Sequence, residues 1–523
     1  MRKNILAALA LALLLTLGSA AHADDDKPAD AKAQSDKGGK KDALPIPPER
    51  SVVTRHSVRI GGHTINYKAT AGTLLIKDDK GAPTVSFFYV AYIVDAEKPS
   101  KRPVTFMYNG GPGSSSMWLH MGSFGPVRVV NQGDQPIPPP PYQTVANDDS
   151  LLDKTDLVFI DAPGTGYSRL VGGTTGKNFY GIDQDADAFA KFITRYVGDN
   201  HRWNSPKFLF GESYGTTRSA VLVRVLQEQG MEFNGVVLMS SILDFNVWAR
   251  TGDDHAFIVN LPTEAAIAWY HNKVGDKGRP NKPADLASFL AGVRQFANTD
   301  YTLALAKGDA ITPAEANRVA NQLSQYIGLS PDYIREANLR IDPSRFRKEL
   351  LRDQRRTVGR LDGRFEGIDP DAAGEIPDGD AASDAATGAY LAAFNQYASA
   401  QLKFNEEQPY LPNNYGVINR GWDWQRTAGH GFTQAPYVGT DLADAMRRNP
   451  HLKVFSANGY YDLATPFYAT QFDLGHLGLE PSISKNIEFG FYPSGHMIYF
   501  DVDALKQLKA DLSRFYNDAV PKS

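Results

Sequence analysis

Residues 206–215, Pro-Lys-Phe-Leu-Phe-Gly-Glu-Ser-Tyr-Gly, run from a short apolar stretch through a G-x-S-x-G turn into residues 216–229, where apolar positions 220, 221, 223 and 226 recur at helical spacing. A strand that turns straight into a helix constrains the chain strongly. Strands joined through helices lie parallel to one another, in a sheet covered on both faces. Further short apolar runs at 103–108, 155–160 and 236–239 follow the same plan, with helical periodicity at 182–197. Ahead of them, residues 56–60, Gly61-Gly62 and residues 63–67 read as a hairpin. Residues 73–77 and 84–94 read as strands around an Asp79-Lys80-Gly81 turn, so an antiparallel sheet opens the fold.

The alternation stops between residues 244 and 450. Segments 263–272, 283–297, 313–327 and 343–355 read as helices, and an acidic run with Gly and Pro follows at 366–384. Strand-like runs return at 452–456 and 487–492. The expected layout is an α/β core in two parts, 49–243 and 451–523, interrupted by a helical cap insertion at 244–450. An independent second domain is the alternative. No repeat of 20–50 residues is present.

The head of the chain predicts export. Met1-Arg2-Lys3 is basic, residues 5–17 are apolar but too few to span a bilayer as a helix, and Ala21-His22-Ala23 precedes an Asp triplet. These are the three parts of a secretory signal peptide, 1–23, cut after Ala23, which directs the chain to the periplasm or out of the cell. Residues 24–48, rich in Asp, Lys and Ala and ending in prolines, read as a disordered leader. No later run is long and apolar enough for an integral membrane segment in the mature chain. The 523 residues contain no cysteine, which removes disulfides, thiolate nucleophiles, Cys-ligated zinc and iron–sulfur clusters. With 55 Lys and Arg against 59 Asp and Glu, the chain lacks the basic excess of a nucleic-acid binder.

Placed between an apolar strand and a helix, the G-x-S-x-G pattern sets Ser213 on a nucleophile elbow. Such a serine needs a base, and the base needs an orienting acid, in the chain order Ser, acid, His. Residues 454–462, Val-Phe-Ser-Ala-Asn-Gly-Tyr-Tyr-Asp, end on Asp462. Residues 491–496, Phe-Tyr-Pro-Ser-Gly-His, end on His496. Both follow strands; Asp501 and Asp503 lie past His496 and break the order. The oxyanion then requires the amide after the serine, Tyr214, and a second donor from an early strand-to-helix loop. Asn109-Gly110-Gly111-Pro112-Gly113-Ser114-Ser115-Ser116 is such a loop. No Gly-Lys-Ser/Thr follows it, so it is not a phosphate loop, and no His-Glu-x-x-His or EF-hand pattern calls for a metal. The chemistry needs no cofactor.

Together with Asp161-Ala-Pro-Gly-Thr-Gly-Tyr-Ser168, Gly211-Glu-Ser-Tyr-Gly215, Asn458-Gly-Tyr-Tyr-Asp462 and Gly495-His-Met497, this loop resembles the serine carboxypeptidase family over roughly residues 100–500, the cap excepted. The resemblance implies an α/β-hydrolase fold and release of single C-terminal residues from peptide substrates. It implies Ser213, Asp462 and His496 as triad, Gly111 and Tyr214 as oxyanion donors, and Asn109 and Glu212 as ligands of the substrate's terminal carboxylate.

One departure matters for activity. Where the family has a glutamate two residues before a Gly-Pro pair, this chain has Ser123. Paired carboxyls share a proton and favour acidic pH, so a lone Glu212 predicts a weaker acid preference and a looser demand for a free C-terminus. Arg218 is expected on the helix surface or paired with Glu212, or else as a replacement positive charge. The same machinery serves an esterase or acyltransferase, and a non-catalytic binding protein on this fold is the remaining alternative. Trp118, Tyr142, Tyr167 and Trp203 are candidate pocket aromatics.

Overall fold

In the computed structural model, residues 43–95, 101–248, 253–275, 283–426 and 435–520 are described. The signal-peptide reading at 1–23 and most of the leader lie outside them. Strands β1 (Ser51–Ile60), β2 (His63–Lys77) and β3 (Pro83–Val94) form an antiparallel meander. β2 is one 15-residue strand rather than the two pieces expected: Ala69 and Ala71, between those pieces, are fully buried and keep the ladder unbroken. The remaining main strands are β4 (Val104–Tyr108), β5 (Asp156–Ile160), β6 (Lys207–Glu212), β7 (Gly235–Met239), β8 (Lys453–Gly459) and β9 (Ile487–Tyr492).

Their order in the sheet is β1-β2-β3-β5-β4-β6-β7-β8-β9. β3 meets β5 antiparallel, and every pairing from β5 to β9 is parallel. Alternate side chains enter two separate cores, as a pleat of period two demands. Phe106, Val158, Leu209 and Leu238 face one side, where helices α1 (Ile182–Asp199) and α2 (Tyr214–Glu228) supply Phe189, Phe192, Val221 and Leu226. Met107, Phe159, Phe210 and Met239 face the other. Strands buried on both faces account for the nearly unbroken apolar runs in the sequence.

Between β7 and β8, which are parallel neighbours, the chain makes the excursion expected from the sequence. It begins with helix α3 (His255–Tyr270), eight residues earlier than the periodicity at 263–272 indicates, and continues through Leu286–Phe296, Pro313–Ile327 and Pro343–Glu349. Helix α4 (Ala381–Ala400) was not legible in the sequence. Ala382, Ala386, Ala389 and Ala393 lie at helical spacing with Tyr390, Phe394 and Tyr397, but alanine, glycine and serine dilute the pattern. Its buried residues share the second core with helix α5 (Val502–Ala519), so this part of 244–450 packs with the body of the sheet.

Candidate active site

Ser213 stands between β6 and α2 as the helix N-cap, with φ 60° and ψ −129°. This backbone strain is held from both sides. The Ser213 amide donates to Met239 O (3.0 Å), and Ser213 O accepts from the Thr216 amide (2.8 Å) and hydroxyl (2.6 Å). The turn is tight enough that a Cβ on Gly211 would stand 2.1 Å from Gly215 O. Of the five residues Gly211–Gly215, only Ser213 is not fully buried.

Asp462 follows β8 and is completely buried. Its Oδ1 accepts the amides of Ala464 (2.8 Å) and Thr465 (3.0 Å). Its Oδ2 accepts the Thr465 hydroxyl (2.6 Å) and meets His496 Nδ1 at 2.8 Å. His496, after β9, is anchored by its own backbone: its amide donates to Leu361 O (2.6 Å) and its carbonyl accepts the Ser240 hydroxyl (2.6 Å). Since Ser240 follows Met239, a short run of bonds ties the serine turn to the histidine loop. Burial disfavours charge on His496, but Asp462 and Glu212 outweigh it and the pKa is raised from its ordinary value.

The glycine loop lies directly on the elbow. A Cβ at Gly110 would come within 2.4 Å of Tyr214 N and 2.5 Å of Gly215 N. Tyr214 is the first residue of α2, so its N–H has no acceptor within the helix. Asp161, fully buried, organises the loop by accepting the Ser116 amide (2.9 Å) and the Tyr410 hydroxyl (3.0 Å). Burial nonetheless holds its pKa up at about 6.

Asn109 and Glu212 come together beside the serine. Asn109 Oδ1 accepts the Leu119 amide (2.9 Å), which leaves its NH2 to bond Glu212. Glu212 is 2% exposed, and burial pushes its pKa up to about 7 against the opposing pull of His496, Tyr499 and Asn109. Ser123 is buried and gives its hydroxyl proton to Leu119 O.

Arg218 corrects the sequence expectation. It is neither on the helix surface nor paired with Glu212. Its guanidinium is buried, with Nε and Nη2 on the two oxygens of Asp185 (2.6 and 3.0 Å) and Nη1 on Asn109 O (2.8 Å). The charge is therefore spent on Asp185, and the group acts on the site through the Asn109 backbone.

The aromatics singled out in the sequence also fall elsewhere. Trp118 packs at a tilt against Tyr390, Tyr167 packs edge-on against Phe88 and Tyr410, Tyr142 rests against the second core and Trp203 is half exposed. A cavity of about 980 Å³ opens instead beside the acid loop, lined by Trp248, Phe257, Asn260, Arg360, Leu463 and Pro466. Sequence reasoning missed Thr465, Ser240 and Tyr499. Thr465, three residues past Asp462, carried a local turn signal; the other two act across the fold. Among the described residues, no three or more His, Cys, Asp or Glu are grouped to hold a metal ion.

A mostly parallel sheet with helices on both faces and a serine elbow after a central strand defines the α/β-hydrolase class. Residues 62–281 match the family model described as serine carboxypeptidase, and this segment belongs to that family. The pheromone-processing carboxypeptidase KEX1 of Yarrowia lipolytica is 28% identical over 184 residues, 34% of this chain and 27% of the relative. Serine carboxypeptidase-like 45 of Arabidopsis thaliana is 26% identical over 243 residues, 43% of this chain and 46% of the relative. The chain thus matches less than half the length of these curated relatives. The crystal structure of Kex1(Δ)p, a prohormone-processing carboxypeptidase from Saccharomyces cerevisiae, superposes with a TM-score of 0.51 at 15% identity, covering 86% of this chain and 92% of that one, a likeness of fold.

Proposed function

We propose that the chain is an exported serine carboxypeptidase that removes C-terminal residues from peptides. The observation that carries this reading is the 2.8 Å contact of His496 Nδ1 with Asp462 Oδ2, at the ends of adjacent strands and bonded through Ser240 to the turn that holds Ser213. His496 Nε2 takes the Ser213 proton, and the serine oxygen attacks the scissile carbonyl. The oxyanion is received by the amides of Gly111 and Tyr214; losing one such donor costs about 2.7–4 kcal/mol. His496 then protonates the leaving amino acid, and water returns the serine by the reverse path. Asn109 and Glu212 receive the terminal carboxylate, and the 980 Å³ cavity takes a side chain of the substrate. The helical stretch 244–450 acts as a cap that supplies most of that cavity's wall, and residues 1–23 direct export.

One observation favours a second reading, esterase or acyltransferase. Ser123 stands where the family's second carboxyl would bind a peptide terminus, and an ester needs no such contact.

The acyl-transfer core of the proposal is tested by a fluorophosphonate probe followed by peptide mapping. The adduct is expected on Ser213 in the full-length enzyme and lost in His496→Ala. An adduct elsewhere, or one indifferent to His496, overturns the assignment.

A further inference from the structure

The turn that carries His496 also carries Tyr499, three residues on, and the two side chains serve different carboxyls. Tyr499 is fully buried in the short helical turn Ile498–Phe500, and its hydroxyl lies 3.0 Å from Glu212 Oε2 and 3.3 Å from Oε1. Its ring is pressed against Gly122, where a Cβ would meet it at 2.3 Å, one residue from Ser123. Its carbonyl accepts Asn131 Nδ2 at 3.1 Å. The ring therefore has no freedom to leave Glu212.

We propose that Tyr499 is a positioning residue for Glu212, filling the role of the partner that Ser123 leaves out and orienting the Glu212 carboxyl toward the substrate's terminal carboxylate. The inference rests on the carboxypeptidase reading above. Unlike a second carboxyl, the phenol stays neutral beside Glu212, gives its proton to that carboxyl and accepts from Asn109 on its own oxygen. Because the shorter bond is to Oε2, it favours the proton of neutral Glu212 on Oε1, from which it can donate to an incoming carboxylate. A bare carboxylate at Glu212 would instead repel it.

The groups facing Glu212 come from every neighbouring element. They are Asn109 and Tyr499 as donors, His496 and Asp462 from the loops after β9 and β8, Tyr390 from α4, and Tyr415 from the segment crossing the glycine loop. Burial raises the Glu212 pKa and the Tyr499 bond opposes that rise. Removing the hydroxyl should therefore move Glu212 further up.

Tyr499→Phe keeps the ring against Gly122 and deletes only the donor. On a blocked dipeptide with a free C-terminus, the alkaline fall in kcat/KM is expected to move up by about one pH unit, the scale of one hydrogen bond to a charged group, and KM to rise about ten-fold. On a simple ester of a blocked amino acid, with no terminal carboxylate, kcat/KM should stay within about two-fold of wild type. In parallel, 13C NMR of the Glu212 carboxyl in the full enzyme should titrate near 7 in wild type and higher in the variant. An unmoved Glu212 titration overturns the inference whatever the substrates do. Equal losses on ester and peptide overturn it too, since they mark a merely structural residue. Failure of the wild-type enzyme on free peptides overturns the carboxypeptidase reading instead, and leaves the carboxyl titration to decide the role of Tyr499.

Discussion

His496 Nδ1 lies 2.8 Å from Asp462 Oδ2, and the same oxygen takes the Thr465 hydroxyl at 2.6 Å. The aspartate is fixed by its own turn, through the amides of residues 464 and 465, so it can fix the imidazole in turn. Asp462→Asn keeps the shape but favours the wrong tautomer, and kcat should fall about 10⁴-fold with KM little changed. Because Asp462 raises the His496 pKa, the acid limb of the variant's residual activity should shift to lower pH. A pH–rate series of the pure variant checks both.

Gly110→Ala should lower both activity and stability, because the atoms its methyl would meet are buried backbone that cannot give way cheaply. The new methyl would stand 2.4 Å from Tyr214 N and push the glycine loop off the elbow, displacing the Gly111 and Tyr214 amides proposed to receive the oxyanion. A kcat loss of at least about 10²-fold is expected, with probe labelling of Ser213 slowed in proportion.

The pH profile on free peptides should be bell-shaped. His496 must be neutral to act as base, and its pKa is raised above the ordinary value, so activity falls on the acid side. In the proposed binding mode Glu212 receives a carboxylate only when protonated, so activity should fall as pH rises through about 7. The two limbs belong to an interacting pair. Simple esters should lose only the acid limb. The check is kcat/KM for both substrate types from pH 4 to 10.

Asp185→Asn should destabilise the protein by about 3–5 kcal/mol, since Arg218 would be left buried without its counter-charge. A denaturant titration reads this as a lowered midpoint. Asp185→Asn paired with Arg218→Met should recover much of the loss, because the charge goes with its partner.

The parts of this site that were legible in the sequence are local. Ser213, Asp462 and His496 each sit a few residues past a strand, and each strand announces itself by an apolar run. Strand pairing within the meander was legible for the same reason. What escaped depends on contacts across the chain. Asp185 lies 33 residues before Arg218 and Tyr499 lies 287 residues after Glu212, and no spacing rule joins such pairs. Helix α4 escaped because its core face is largely alanine, which reads as neither apolar stripe nor loop. The pocket aromatics failed because size alone does not say which face a ring turns to.

Mass spectrometry of matched peptides, one set with free C-termini and one amidated, tests the central claim most directly, with Ser213→Ala as control. Stepwise loss of single C-terminal residues is expected from the free set, little or none from the amidated set at neutral pH, and none of either with the variant. Intact free peptides under conditions where simple esters are hydrolysed would contradict it and assign the same serine to ester or acyl-transfer chemistry.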